Sequence, residues 1–259
     1  MVDSLIRAGE TLAHISVFII FMYILLGAFA GTMSGMLGIG GGVIVVPGLA
    51  WLFGLQHFPH NLIMHMAAGT SLAVMIGTTL RALYAHRRHK TKFWHIYHRL
   101  LPGVIIGVIL GAILAHYLHS YVIALIFATF ILLIALHMLF GTQVNPRRNL
   151  PGSVGMWGAG LVVGGKSGLL GVGGGSVMVP FLLFCNVEMR TAMVVSIATS
   201  LTVAMVGTVA VGLTGMYAQG LPAWSLGYIY WPAWIAVVVG SILFAPLGAA
   251  LSYRISVPL

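Results

Sequence analysis

The sequence predicts an all-α, polytopic membrane protein built from two homologous, inverted repeats, each with a glycine-broken short helix or re-entrant segment. Three observations predict it. The first is composition: of 259 residues 60% are hydrophobic and only 6% charged, with a mean hydropathy of +1.06. A soluble domain carries about 25% charged residues, so this chain cannot cover itself in water. The second is run length: residues 15–56 contain no Asp, Glu, Lys or Arg, and a span needs roughly 20 apolar residues. The third is duplication. Residues 31–47 read GTMSGMLGIGGGVIVVP and residues 164–180 read GGKSGLLGVGGGSVMVP. At one offset of 133, ten of the 17 positions are identical: Gly31, Ser34, Gly35, Leu37, Gly38, Gly40, Gly41, Gly42, Val46 and Pro47. Thr70-Ser71-Leu72 returns as Thr199-Ser200-Leu201, and Pro102 and Pro232 both open apolar segments.

The first repeat, 12–141, contains apolar segments 12–37, 43–56, 61–85, 100–119 and 121–141. Ala28-Phe29-Ala30 resembles a signal-peptide cleavage site, but Asp3 and Glu10 precede it against one Arg7, so 12–37 is read as a retained span. The second repeat, 153–259, contains 153–170, 176–186, 190–213 and 223–252. It lacks a partner for 121–141; by correspondence that last helix starts near Val257, where the sequence stops, and is expected to be missing. A 14-residue helix over 43–56 is about 21 Å long, against a hydrocarbon core of roughly 30 Å. If both short segments cross, each half has an odd number of spans and the halves face opposite ways. Arg87, Arg88, Lys90, Lys92, Arg99, Arg147, Arg148, Arg190 and Arg254 then share the inside and Arg7 lies outside. If they are re-entrant, Arg190 and Arg254 move outside and Arg7 moves in. The positive-inside rule favours the first arrangement.

The same placement of basic residues in loops accounts for the net charge of +9 without nucleic acid. The single Cys185 forms no intramolecular disulfide.

Short, glycine-interrupted segments at matching places in two halves point to a transporter's binding site. Irregular backbone is tolerated at membrane depth only where it is buried in protein or lines a cavity. Gly38-Ile39-Gly40-Gly41-Gly42 and Gly171-Val172-Gly173-Gly174-Gly175 interrupt their helices. The helices that restart after them present unpaired amides and the positive end of a dipole, a setting that binds anions. Glycines spaced by four, at 27, 31 and 35 and at 103, 107 and 111, fit close helix packing instead. Ser34, Thr70, Ser71, Ser167, Thr199 and Ser200 recur in both halves and could donate to an anion or bond their own backbone. Lys166 stands deep in an apolar segment where the first half has Met33; an intramembrane cation marks function, unless it snorkels to the interface.

Asp3, Glu10 and Glu188 are the only carboxylates and none lies mid-span, which argues against a cation substrate. His86, His89, His95 and His98 stand among Arg and Lys in a basic loop, a poor metal site that could touch anionic headgroups. His65 and His137 lie within spans, where an imidazole could carry a proton or bond a neighbour's backbone. Trp94, Tyr97, Trp224, Tyr228, Tyr230, Trp231 and Trp234 fit an interfacial belt. No enzyme motif, metal or cofactor site is read, and homo-oligomerisation is left open.

The segments Gly35–Gly42 with Pro47, and Gly168–Gly175 with Pro180, together with Thr70-Ser71 and Thr199-Ser200, resemble the sulfite exporter TauE/SafE family over nearly the whole chain. The resemblance implies a multi-pass protein of the bacterial cytoplasmic (inner) membrane that moves sulfite, sulfoacetate or related organosulfur anions. The expectation is a secondary anion transporter. Its substrate would be held by Ser34, Gly38, Gly40, Gly41, Gly42, Thr70, Ser71, Lys166, Ser167, Gly171, Gly173, Gly174, Gly175, Thr199 and Ser200. The alternatives are an anion channel, or a membrane scaffold or sensor acting through loop 86–99.

Overall fold

Nine helices and one short hairpin make up the described residues, 17–37, 41–86, 93–140 and 150–254 of a computed structural model. The helices are α1 (Val17–Leu37), α2 (Gly42–Leu55), α3 (Ile63–His86), α4 (Trp94–Tyr117), α5 (Ser120–Phe140), α6 (Ser153–Leu170), α7 (Gly175–Phe184), α8 (Met189–Gly215) and α9 (Trp231–Arg254). By length and composition α1, α3, α4 and α8 are long and apolar enough to cross a membrane. Outward faces are apolar, as Phe18, Phe21 and Phe29 on α1 and Leu132, Leu133 and Phe140 on α5 are exposed. Only lipid makes such a surface tolerable.

Helices α3 and α8 are the most buried of the long spans and pack on one another at the centre. Around them the halves interlock: α1 lies along α9, and α4 along α6. Glycines permit both pairings. A methyl group on Gly31 would lie 2.5 Å from the Ser241 carbonyl oxygen, and one on Gly160 would lie 2.5 Å from that of Leu100. Gly27, Gly103, Gly107, Gly164 and Gly168 likewise face a neighbour's backbone, so small-residue spacing lets these helices touch. Ser241 adds a hydrogen bond to the Gly27 carbonyl at 3.0 Å.

Two expectations need correction. The apolar segment 223–252 does not begin as a helix. Residues Ser225–Leu226 (β1) and Ile229–Tyr230 (β2) pair antiparallel, and α9 starts only at Trp231. Gly227, at φ +57°, makes the turn, pressed so closely on Gly212 that no side chain would fit. Tyr228 and Tyr230 are therefore core residues, 5% and 3% exposed, rather than part of an interfacial belt. The loop 86–99 is also shorter than read, because Trp94–Arg99 already form the first turns of α4. There the Trp94 ring stacks on Phe93 and on His98.

The second short segment is ten residues where eleven were expected. Helix α7 is thus about 15 Å long, half the thickness of a bilayer core.

Candidate functional site

Each short helix begins on glycine and lacks a side-chain cap. Gly41 precedes α2 and Gly174 precedes α7, both in right-handed helical conformation with no side-chain hydrogen bond. The first turns close on backbone alone, Val45 N–H to the Gly41 carbonyl and Met178 N–H to that of Gly174, both at 2.9 Å. Ile44 and Val177 donate to the same two carbonyls at 3.1 and 3.2 Å, so the amides left without an intrahelical acceptor are those before them; Gly41, Gly42, Gly174 and Gly175 are buried. Gly38 and Gly40 lie outside the described residues.

The end of α6 explains the second segment. Gly171 stops the helix at φ +70°, a left-handed conformation that suits glycine, and its N–H donates to the Ser167 carbonyl at 2.9 Å. It also sits against α3: a methyl group here would lie 2.5 Å from Ala68 Cα. Both the angle and the space demand glycine.

The two glycine segments meet. A methyl group on Gly42 would lie 2.8 Å from the Gly171 carbonyl oxygen and 3.1 Å from Val172 Cα. The same carbonyl accepts the Ser71 hydroxyl at 2.9 Å, so α3 of the first half holds the loop of the second. Around Gly41 lie Ala30 and Ser34, with Ser34 Cβ 3.8 Å from where a methyl would stand. Around Gly174 lie Val163, Thr199 and Ser200, the last with its Oγ 3.8 Å from the same point.

The repeated hydroxyls do not share one fate. Thr70 accepts the Tyr230 N–H at 3.0 Å and so anchors the hairpin. Thr199 donates to the Val195 carbonyl of its own helix at 2.8 Å, the backbone bonding open to any helical threonine. Ser167 is fully buried and its hydroxyl has no hydrogen-bond partner.

Lys166 does not snorkel to the interface. Its Nζ donates to the Gly173 carbonyl at 3.2 Å and to Ser176 Oγ at 3.1 Å, and lies 4.6 Å from the centroid of the Phe130 ring. An ammonium has three N–H bonds, so one donor remains beyond these two. Glu188, at the start of α8, is the only carboxylate side chain among the described residues, so nothing acidic opposes this charge at the loops. No group of three His, Cys, Asp or Glu able to hold a metal ion occurs among the described residues.

Sequence reasoning missed Ser176, Met75, Phe130 and the hairpin. Ser176 was findable, as the residue directly after the second glycine run; Phe130 and Met75 carry no local signal. His65 bonds backbone carbonyls, one of the two roles read for it, whereas the side chain of His137 lies outside the described residues.

A family model described as Sulfite exporter TauE/SafE matches residues 23–259. A "Probable membrane transporter protein" of Haemophilus influenzae is 29% identical over 241 residues, covering 92% of this chain and 90% of that protein. The "Probable membrane transporter protein YunE" of Bacillus subtilis is 26% identical, covering 89% of this chain and 88% of its own. A further "Probable membrane transporter protein", from Methanocaldococcus jannaschii, is 23% identical over 91% of this chain and 87% of its own length. No solved structure matches the chain significantly.

Proposed function

The chain belongs to the sulfite exporter TauE/SafE family, and on that premise we propose that it exports small sulfur-containing anions as a secondary transporter. It is a multi-pass membrane transporter; sulfite, sulfoacetate or another organosulfonate as its substrate, and the bacterial cytoplasmic membrane as its location, are the finer reading. The observation that supports the reading is the contact of Gly42, at the start of α2, with Gly171, where the loop into α7 begins. Amides of Gly41 and Gly42 and of Gly174 and Gly175 would bind the oxyanion, as helix N-termini do without a side-chain charge. The hydroxyls of Ser34, Ser167 and Ser200 would complete its hydrogen bonds, and the third N–H of Lys166 would add charge-assisted bonding. Ser71 would act by holding the Gly171 carbonyl. The two repeats would lie inverted in the bilayer, and their relative movement would part Gly42 from Gly171 and expose the anion to each side in turn.

The test is uptake of radiolabelled sulfoacetate and sulfite into proteoliposomes holding the full chain. Saturable uptake of one, competed by the other and not by chloride, is expected. Flux that rises linearly with concentration would make the protein a channel, and no flux from folded protein would remove these anions as substrates.

A further inference from the structure

His65, in the first turn of α3, is 7% exposed and takes no part in the anion site. Its Nε2 lies 2.9 Å from the Ala115 carbonyl oxygen and 3.0 Å from that of Leu118, at the C-terminal end of α4. Carbonyl oxygens only accept, so Nε2 carries a hydrogen and donates to both. That fixes the tautomer of the neutral ring and leaves Nδ1 as a bare lone pair. Nδ1 is buried and has no hydrogen-bond partner. A proton on Nδ1 would fill that lone pair and turn the ring into an imidazolium with N–H donors on both nitrogens. A buried acceptor left unpaired keeps its full desolvation penalty, so an orphan of this kind calls for an occupant.

The ring is also joined to the moving parts of the proposed site. Its centroid is 5.1 Å from that of Tyr228, whose hydroxyl lies 2.9 Å from His116 Nδ1. Two residues on, the Tyr230 N–H is held by Thr70, and the neighbouring Ser71 holds the Gly171 carbonyl. Three successive contacts thus run from His65 through the hairpin to the second glycine segment. An imidazolium set against an aromatic ring binds it more tightly than a neutral imidazole does, so a charge on His65 changes its grip on the hairpin.

The titratable neighbours are few. His116 of α4 and Tyr228 of the hairpin face the cluster, with Tyr117 beside His116 at 5.4 Å between ring centroids. Helix α8, which packs on the hairpin, has no titratable side chain between Thr191 and Gly215. From α5 the Ser120 hydroxyl accepts the Met64 N–H, while His119 before it and Tyr121 after it are exposed.

We propose that His65 is a proton-binding site, with Nδ1 as the acceptor, whose occupancy couples protons to anion movement through the Tyr228 hairpin. The coupling rests on the transporter reading; the proton site itself does not.

The experiment therefore has two arms. In the first, full-length protein labelled with 15N-histidine is placed in lipid nanodiscs without any anion substrate and followed by NMR from about pH 8 to about pH 4.5, spanning the histidine range. His65 is assigned by the signal lost in His65→Gln, which keeps an N–H donor for Ala115 and Leu118. The expected result is an Nε2–H tautomer at high pH that gains a hydrogen on Nδ1 as pH falls. An Nδ1 that stays bare throughout, or carries hydrogen at pH 8, overturns the proposal.

The second arm measures sulfoacetate uptake into proteoliposomes with and without a pH gradient, since a sulfonate stays charged across this range. Wild type should be stimulated at least fivefold by the gradient. His65→Gln should lose that stimulation yet keep gradient-free exchange of labelled for unlabelled sulfoacetate. Equal stimulation of the two proteins overturns the coupling. If wild type moves no anion while His65 titrates as expected, the anion reading fails and the proton site stands.

Discussion

Alanine at Gly42 and alanine at Gly41 should behave oppositely, although the residues are adjacent and both precede or open α2. A methyl group on Gly41 meets nothing closer than 3.6 Å, ordinary van der Waals contact with Ala30 and Ser34. On Gly42 it would lie 2.8 Å from the Gly171 oxygen and 3.1 Å from Met75 Sδ. The methionine can swing away. The carbonyl cannot, since it accepts from Ser71 and belongs to a residue fixed at φ +70° against Ala68. Overpacking of this kind costs about 1–3 kcal/mol, while replacing glycine by alanine recovers roughly 0.4–1 kcal/mol from the unfolded chain. Gly42→Ala should therefore be destabilised by about 1–2 kcal/mol, and Gly41→Ala should be neutral or slightly stabilised. Where the lost contact is one that transport requires, each 1.4 kcal/mol is about tenfold in rate or affinity. The assay is initial sulfoacetate uptake in proteoliposomes normalised to reconstituted protein, beside thermal unfolding in detergent. Gly42→Ala is expected to fall about tenfold and Gly41→Ala to stay within about twofold. Equal impairment of both, or wild-type rates from Gly42→Ala, would refute the argument that the two glycine segments must touch.

Lys166→Met gives the second half the residue that the first half has at Met33. It removes a charge-assisted donor worth roughly 1.5–3 kcal/mol, so the KM for sulfoacetate should rise at least about tenfold; an unchanged KM would take Lys166 out of the anion site. Thr70→Val should strand the Tyr230 N–H in a buried position at a cost of about 1–3 kcal/mol. Thr199→Val forfeits only a bond within its own helix. Thermal unfolding should separate the two variants by several degrees, and equal midpoints would contradict the different partners of these hydroxyls.

Much of this was legible in the chain because its causes are local. Apolar run length and glycine position set most helix limits: 153–170 is helical as read, and 43–56 shifts by one residue. Glycines spaced by four announced close packing, and the structure puts backbone against Gly27, Gly31, Gly103 and Gly107. Which helix would supply that backbone was not legible, since a small-residue stripe specifies distance and not a partner. The hairpin was missed for a related reason. Ser225-Leu-Gly-Tyr-Ile-Tyr230 is apolar enough to extend a span, and run length outweighed a real turn signal, a central Gly followed by one residue between aromatic and β-branched neighbours. The contact between the two glycine segments was legible as backbone, and the side chains around it were much less so. Thr70 and Thr199, identical within the repeat, bond to different things.

That divergence bears on how a duplicated transporter works. The glycine segments and the interlocked pairs α1 with α9 and α4 with α6 give the halves equivalent scaffolds. The chemistry added to them is one-sided. Lys166 answers Met33, Ser176 answers Val43, and Thr70 holds the hairpin where Thr199 bonds its own helix. Perfectly equivalent halves would bind and release an anion alike toward both membrane faces. A lysine that grips the second loop alone, through Gly173 and Ser176, loads the two glycine segments unequally. A ligand shifts a two-state equilibrium only by its difference in affinity for the states, and one-sided charge at a shared site supplies such a difference. The direction of transport should then follow Lys166, which stands where the first half has Met33, and the shared glycine scaffold should carry the movement itself.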